Sequence, residues 1–529
     1  MTRIFAGLLL AALAAGAQGT VPFQGLNPET LVHPTPDSWP THNGDYSGKR
    51  FSSLRQINKT NVGLLSMVWA FQTDVTSGPG LKSTPLLVNG TLYFTEPDDV
   101  WAVDARSGQQ TWHYHYHQNE GLHIGQRGLG MYKGRLYFET PDAHLLCMDA
   151  RTGEVQWNIE LADVKLGYWA TMAPLVIRDH VLVGVSGDFN DLHGFIDSID
   201  PETGKLQWRW NALPKPGEPG SETWPANSDA IQHGGGMTWV GGTYDPELNL
   251  LYWGTANPNP VLDGSIRPGD NLYTCSIVAL NPDTGKLAWY FQPSPHDVHD
   301  WDAVQTPVLY DGDFHGQPRK LLMQASRNGY LFVLDRTNGK PLLSAPYEEI
   351  NWSSGVDAQG RPIGKKEKDP SPAGTLVEPD AIGATNWMSP SFDPDTGLLY
   401  VDTHQSFSLY YAFGTGKPEG FGGRDLTVWS HCFLRAIDYQ TGRSRWEHDL
   451  GSGWDWAGVL STAGGLVFSS DVHGNVLALD AATGKTLWHV YGGGPAQGPP
   501  ISYELDGRQY ILFGAHGVLY AFALPQNSR

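Results

Sequence analysis

The chain has 529 residues, and 35 Lys and Arg against 55 Asp and Glu give a net charge of −20. Nucleic-acid binders normally present a basic face, so this balance argues against that class of function. Abundant glycine (63), proline (37) and tryptophan (20) favour tight turns and aromatic packing over a helical bundle.

The N-terminus has the pattern of a secretory signal peptide. Arg3 precedes an apolar run over residues 4–15, and Ala15-Gly16-Ala17 is a small-residue cleavage site. We therefore expect residues 1–17 to be removed and residues 18–529 to form one exported domain, in the periplasm if the source has two membranes. No later apolar run is long enough to predict a membrane span.

Cysteine usage is sparse. Cys147, Cys275 and Cys432 are widely spaced, so at most one disulfide is expected and free buried thiols are an equal alternative. The sequence contains no C-x-x-C-H motif, so no c-type haem is expected on these residues.

A turn motif recurs along the chain. Each copy has an Asp or Asn that caps a tight turn, a Thr-Gly or similar pair that supplies a hydroxyl and a positive φ, and a following strand that carries a Trp inward. The copies end at Trp112, Trp157, Trp208, Trp289, Trp446 and Trp488, with a degenerate copy at Leu343 and a further unit ending at Trp69. These are about eight units.

Short strands with a period of two lie between the turns, for example "TLYFTE" from Thr91 and "LLYWGT" from Leu250. Four-stranded units that repeat about every 45–50 residues predict an all-β fold, an eight-bladed β-propeller with Trp-containing blades. The wider gaps predict insertions. We expect residues 211–235 and 348–382 to cover the face of the ring that carries the functional site.

The stretch "HDVHDWDAVQ", residues 296–305, places Asp297, Asp300 and Asp302 close together. Three such charges repel one another unless a cation lies among them. The residues alone allow two interpretations, an acidic solvated turn and a metal or acid–base site.

The repeat and the ordered motifs from "WPTHNGDYSGKRF" to "YELDGRQYILFGAHG" resemble the pyrroloquinoline quinone (PQQ) dependent alcohol dehydrogenases. The resemblance implies an exported enzyme that oxidises a small alcohol with PQQ and Ca²⁺ or a lanthanide. In the implied mechanism the metal polarises the quinone carbonyl, Asp300 takes the hydroxyl proton and hydride passes to the quinone. Electrons then leave to an external acceptor such as a soluble cytochrome c. The alternative is a non-catalytic binding or scaffold propeller.

The resemblance also implies the residues that bind PQQ, a flat and multiply anionic quinone that needs an aromatic floor and guanidinium groups. Trp239 aligns with the stacking Trp, Arg327 with the Arg at the reactive oxygens, and Arg127 with an Arg near a PQQ carboxylate. Further residues align with polar and aromatic cofactor contacts, namely Thr171, Ser186, Asn386, Trp387 and Trp456.

The implied metal ligands are Asn257, Asp300 and Asp302, the last aligning with an additional Asp of lanthanide-using members. At alternating positions of a strand end, both carboxylates would share one face. Phe189 stands where the family has a ligating Glu; Asp188 is the favoured replacement, with Asp191 or no carboxylate as alternatives. A trivalent ion gains more than Ca²⁺ from an extra carboxylate, so a lanthanide is expected.

Two further positions depart from the family pattern. Gly121-Leu122 replaces the adjacent Cys pair that covers PQQ in many members, and Lys82 stands where a Glu usually contacts the cofactor. These departures concern the substrate and the cover over the cofactor.

Overall fold

The computed structural model describes Leu26 and residues 28–73, 80–117, 120–122, 124–187, 190–414 and 420–526. The described strands form eight sheets of four or five strands, which confirms the all-β propeller. In chain order, blade one comprises Leu86–Val88, Thr91–Glu96, Asp99–Asp104 and Gln110–His115, and blade two comprises Gly130–Tyr132, Arg135–Glu139, His144–Asp149 and Val155–Glu160. Blade three comprises Leu175–Ile177, His180–Gly184, Phe195–Ile199 and Leu206–Asn211. Blade four comprises Thr243–Asp245, Leu250–Gly254, Ile277–Leu280 and Leu287–Phe291.

The second half of the chain continues the ring. Blade five comprises Val308–Phe314, Gln317–Ala325, Tyr330–Asp335 and Lys340–Pro346; blade six Ser391–Asp393, Leu398–Ala412, Gly423–Asp438 and Ser444–Ser452, with Thr375–Val377 added; blade seven Leu460–Thr462, Leu466–Ser470, Asn475–Asp480 and Thr486–Tyr491, with Phe51–Ser52 added; and blade eight Ile501–Leu505, Arg508–Ala515, Val518–Ala523 and Ser66–Gln72.

Blade eight closes the ring with strands from both ends of the sequence. Ser66–Gln72 pairs antiparallel with Val518–Ala523, so the outermost strand of the last blade precedes blade one in the chain. The first strands of neighbouring blades touch, as in blades two and three. These short inner strands are almost fully buried, so the core runs around the ring.

The repeated turn joins the third and fourth strands of a blade and packs against the neighbouring blade. After the third strand of blade one, Asp104 Oδ1 accepts the backbone N–H of Ser107 at 2.9 Å, and Gly108 has φ +72°. A Cβ on Gly108 would lie 2.7 Å from the ring of Trp69 in blade eight. Glycine is therefore required by the backbone conformation and by the neighbouring ring.

The indole N–H of Trp69 donates to the carbonyl of Ala105 at 3.2 Å. The same bond from one blade to the next recurs for Trp112 with Ala150, Trp208 with Pro282, Trp289 with Arg336 and Trp446 with Ala481. These rings lie on the outermost strands, are mostly partly buried, and pack against the hydrophobic core, in agreement with the expected inward direction. They seal adjacent blades against each other.

The insertions carry most of the irregular structure. Leu398–Ala412 and Gly423–Asp438 are strands of 15 and 16 residues that extend well past the neighbouring strands. A separate hairpin joins Ser353–Val356 and Pro362–Gly364. An α-helix spans Pro28–Val32, and the 3₁₀ turns are Val62–Leu64, Val164–Leu166, Ser221–Thr223, Ala230–Gln232, Gly264–Ile266 and Lys366–Lys368.

All three cysteines are buried and free, which is the second of the two alternatives left by the sequence. Within the described ranges, no helix has the length and apolar character needed to cross a membrane.

Candidate active site

The acidic stretch forms a turn between blades four and five. Asp297 Oδ2 accepts the backbone N–H groups of His299, Asp300 and Trp301 at 3.4, 3.0 and 3.2 Å, and Asp300 has φ +68°. The expectation of a strand end is therefore wrong, since the next strand begins only at Val308. The capped turn, rather than strand alternation, sets the direction of the following carboxylates.

Arg327 brings Asp300 and Asp302 together. It follows the second strand of blade five, and its guanidinium lies 3.1 Å from Asp300 Oδ2 and 2.8 Å from Asp302 Oδ2. A third bond goes to the carbonyl of Ala381 at 2.6 Å, which lies in the insertion predicted to cover the site. One planar cation thus orients both carboxylates.

Asp302 also connects the acidic turn to the neighbouring blade. Its Oδ1 accepts the backbone N–H of Asn257 at 2.8 Å, and its Oδ2 accepts the indole N–H of Trp239 at 3.0 Å. Burial raises the pKa of Asp302, while the charge of Arg327 and these donors favour the ionised form. Asp302 therefore fixes the orientation of the Trp239 ring.

The glycines before Trp239 permit this approach. The backbone N–H of Gly236 donates to the carbonyl of Asn257 at 2.8 Å. A Cβ on Gly235 would lie 2.5 Å from that same carbonyl oxygen, and Gly235 has φ +107°. Blades three and four thereby place Trp239 and Asn257 against the acidic turn, at a close approach that glycine permits.

A second group of predicted residues forms an aromatic and cationic surface. Arg127 Cζ lies 4.8 Å from the ring centroid of Trp239 and 5.1 Å from that of Trp387. Trp387 is parallel to Trp456, with centroids 5.8 Å apart and an interplanar angle of 1°. Lys82 Nζ also lies 5.3 Å from the Trp387 centroid.

Three polar residues predicted to contact the cofactor are held by contacts within the protein, namely Thr171, Ser186 and Asn386. Arg127 Nη1 donates to Thr171 Oγ1 at 2.5 Å and to the carbonyl of Thr171 at 3.1 Å. Ser186 is buried in a β-bridge with Trp169. Asn386 Nδ2 donates to the carbonyl of Ile382 at 2.8 Å.

The predicted metal ligands are only partly described. Asp188 and Phe189 lie outside the described residues. Asp191, the weaker alternative, has a half-exposed side chain that pairs with His233 at 3.0 Å. In the ranges that the structure describes, no three His, Cys, Asp or Glu side chains are grouped to hold a metal.

The residues present nevertheless fit a hard cation and a planar anion. Asp300, Asp302 and the amide oxygen of Asn257 are the oxygen donors that Ca²⁺ and lanthanides prefer. Trp239 offers a flat apolar face, and Arg127 adds positive charge beside it.

Some contacts in the site carried no signal in the sequence. Gln305 Oε1 accepts the backbone N–H of Arg327 at 3.2 Å, and the carbonyl of Ala381 accepts its side chain. Gln305 lies in the acidic stretch and Ala381 in the predicted insertion, but the sequence assigned neither residue a contact with Arg327. The position of Lys82 over Trp387 likewise depends on a contact between distant parts of the chain.

Comparison with known proteins places this geometry in a family. Residues 39–361 and 429–511 match the family model described as "PQQ: Glucose/ethanol/alcohol dehydrogenase, beta-propeller domain". The quinoprotein alcohol dehydrogenase PedH of Pseudomonas putida is 34% identical, over 97% of this chain and 90% of that protein. The quinohemoprotein alcohol dehydrogenase of Comamonas testosteroni is 36% identical, over 94% of this chain and 75% of that protein.

Solved structures agree. A europium-containing methanol dehydrogenase superposes with a TM-score of 0.86 at 29% identity, over 94% of this chain and 100% of that chain.

Proposed function

The chain belongs to the PQQ-dependent alcohol dehydrogenase family, and we propose that it oxidises a small alcohol at Asp300, with PQQ lying on the face of Trp239. The observation that carries this proposal is the pairing of Arg327 with both Asp300 and Asp302 at 3.1 and 2.8 Å. A catalytic carboxylate must be aimed at the group from which it takes a proton, and the bonded guanidinium fixes its direction.

Asp300 and Asp302 differ in exposure, which supports different roles. The side chain of Asp300 is 20% exposed and that of Asp302 is 3% exposed. Asp300 is therefore the carboxylate that a substrate hydroxyl reaches, and it accepts the hydroxyl proton at Oδ2. Arg327 Nη2, 3.1 Å from that oxygen, orients the carboxylate and places a positive charge beside it.

When bound, PQQ supplies a two-electron acceptor and the metal supplies a Lewis acid. The chain would hold PQQ through Trp239, Trp387, Trp456, Arg127, Arg327, Thr171, Ser186 and Asn386. Asn257, Asp300, Asp302 and Asp188 would hold the metal. Several carboxylates around one ion favour a trivalent lanthanide over Ca²⁺.

The electrons must then leave the site. These 529 residues contain no C-x-x-C-H motif, whereas the name of the Comamonas relative states that it is a quinohemoprotein. The proposed acceptor is therefore a haem outside these residues, such as a soluble cytochrome c. Export to the periplasm is proposed from the signal-peptide pattern of residues 1–17.

The test is reconstitution of the purified apo-protein with PQQ and either Ca²⁺ or La³⁺. Alcohol-dependent reduction of an artificial electron acceptor is expected only when both PQQ and a metal are present. Reduction of oxidised cytochrome c under the same conditions tests the acceptor. Absence of PQQ-dependent turnover across a panel of primary and secondary alcohols would contradict the proposal.

A further inference from the structure

Lys82 and Arg127 place two positive charges against one aromatic ring. Lys82 Nζ lies 5.3 Å and Arg127 Cζ 5.1 Å from the centroid of Trp387. Each cation–π contact is favourable alone, but the two cations repel each other. The protein has a net charge of −20, so this concentration of positive charge is local.

The side chain of Lys82 is held in this position by the backbone beneath it. A Cβ on Gly125, which has φ +124°, would lie 2.4 Å from Lys82 Cδ, so the aliphatic stem of Lys82 runs directly over this glycine. Lys82 Nζ donates to the carbonyl of Ile124 at 2.5 Å. The ammonium group is thus fixed beside Trp387 rather than free in solvent.

No carboxylate from the described parts of the chain forms an ion pair with Lys82. Its hydrogen-bond acceptor is a backbone carbonyl, and an ammonium group has three donors. Burial, with a smaller contribution from the charge of Arg127, lowers the pKa of Lys82 to about 8. Keeping Lys82 charged at this position therefore costs free energy, and a bound anion would offset that cost.

Glu139 and His42 are titratable groups described near Arg127. Burial raises the pKa of Glu139 well above its usual range, and burial with the charge of Arg50 lowers the pKa of His42 to about 3. Both shifts favour the neutral forms of Glu139 and His42.

We propose that Lys82 and Arg127 form a two-cation clamp that binds a carboxylate of PQQ beside Trp387. The inference rests on the proposed function, because it takes PQQ as the ligand of the Trp239 surface. It assigns to Lys82 a role in cofactor affinity, since a cation near a carboxylate strengthens binding and a glutamate at this position would not. The position thereby tunes how tightly this chain retains its cofactor.

The clamp predicts a pH-dependent affinity. A lysine that is charged below pH 8 and neutral above it attracts the carboxylate only in the charged form, so PQQ affinity should fall as the pH rises through about 8. Lys82→Gln removes this dependence, whereas Lys82→Arg keeps a charge at all these pH values.

The experiment is a PQQ titration of full-length apo-protein with La³⁺ present, followed by tryptophan fluorescence. Lys82→Gln is expected to weaken binding roughly 10- to 100-fold, and Lys82→Arg to stay within a few-fold of wild type. Lys133→Gln is the matched control, because Lys133 Nζ also lies over an aromatic ring, 5.0 Å from the centroid of Tyr132, but outside the site.

The trimethyl ester of PQQ separates charge from packing, since it keeps the ring system and removes the carboxylates. Wild type and Lys82→Gln should bind the ester equally.

If the wild-type protein binds PQQ no more tightly than Lys82→Gln and shows the same pH profile, the clamp is overturned but the proposed function is not. Wild type that binds no PQQ would instead overturn the proposed function. If Lys82→Gln does not fold, wild-type affinity that is flat across pH 8, or equal for PQQ and its ester, overturns the clamp.

Discussion

Two turns of this chain are capped in the same way, by an aspartate that accepts backbone N–H groups, but one lies at the surface and the other is buried. Asp200, at a blade turn, accepts the N–H groups of Glu202 and Thr203 at 3.0 and 2.8 Å. Asp297, at the candidate site, accepts three N–H groups in the same way, but it is buried. The hydrogen bonds are alike, so the difference lies in what surrounds each carboxylate.

The pKa values move in opposite directions as a result. The small burial of Asp200 is outweighed by hydrogen bonds from Thr203 and Glu202, which lower its pKa. Burial raises the pKa of Asp297 to about 6, despite the nearby charge of Arg267. The blade turn stabilises the ring at the surface. The buried turn gives up some stability to aim Asp300 and Asp302 at Arg327.

The largest expected difference between the two turns is in catalysis. Asp300→Asn keeps the size of the side chain and removes the base, so turnover should fall about 10²–10⁴-fold. Asp200→Asn should leave turnover unchanged, because Asp200 only caps its turn. Steady-state rates of PQQ-loaded protein, with metal content measured, test both variants. Near-normal turnover of Asp300→Asn would assign the base to another residue.

The contrast between the turns also explains what the sequence could predict. The blade turns close within four residues, so Asp, Thr-Gly and Trp are sufficient to predict them. The propeller and its closed ring follow from repeating that local signal. The hydrogen bond from each Trp ring to the next blade is not part of this local signal, because it depends on the neighbouring blade.

The site was less predictable because its contacts join distant parts of the chain. Asp302 binds Trp239 and Asn257, which are 63 and 45 residues away. The family resemblance predicted that these residues belong together, but no local pattern predicted the hydrogen bonds between them. The alternation of Asp300 and Asp302 is typical of a strand, so the sequence predicted a strand end where the structure has the turn capped by Asp297. The replacement of the ligating Glu by Asp188 stays a prediction.

Stability should separate the same two turns. Asp297→Ala leaves three backbone N–H groups without their acceptor in a largely buried turn, and should lower the free energy of unfolding by about 3 kcal/mol. Asp200→Ala leaves its groups to water and should cost about 1 kcal/mol. Urea unfolding of both variants measures the difference. Equal losses would show that burial does not distinguish the turns.

A buried carboxylate in blade one extends the comparison to pH. Burial raises the pKa of Glu96 from 4.5 to about 7, so the folded protein holds this proton more tightly than the unfolded chain. The stabilisation is complete below pH 4.5 and is lost as the pH rises through 7. Relative to wild type, Glu96→Gln should therefore gain up to about 3 kcal/mol between about pH 4 and pH 8. Exposed Glu154→Gln should show no such trend in the same unfolding experiments.

The smallest expected effect concerns the choice of metal, and it depends on Asp302. This carboxylate accepts bonds from Asn257, Trp239 and Arg327, so Asp302→Ala should lower activity with either ion. Attraction to an ion scales with its charge, so the loss should be greater for La³⁺ than for Ca²⁺, and the La³⁺/Ca²⁺ activity ratio should fall by about 10-fold. Trp239→Phe is the control, because it removes the indole donor to Asp302 but keeps an aromatic face and the carboxylate. That variant should lose activity equally with both ions. A ratio that Asp302→Ala leaves unchanged would mean that Asp302 only positions Trp239 and Arg327, as Asp200 only positions its turn, and that metal selectivity arises elsewhere in the site.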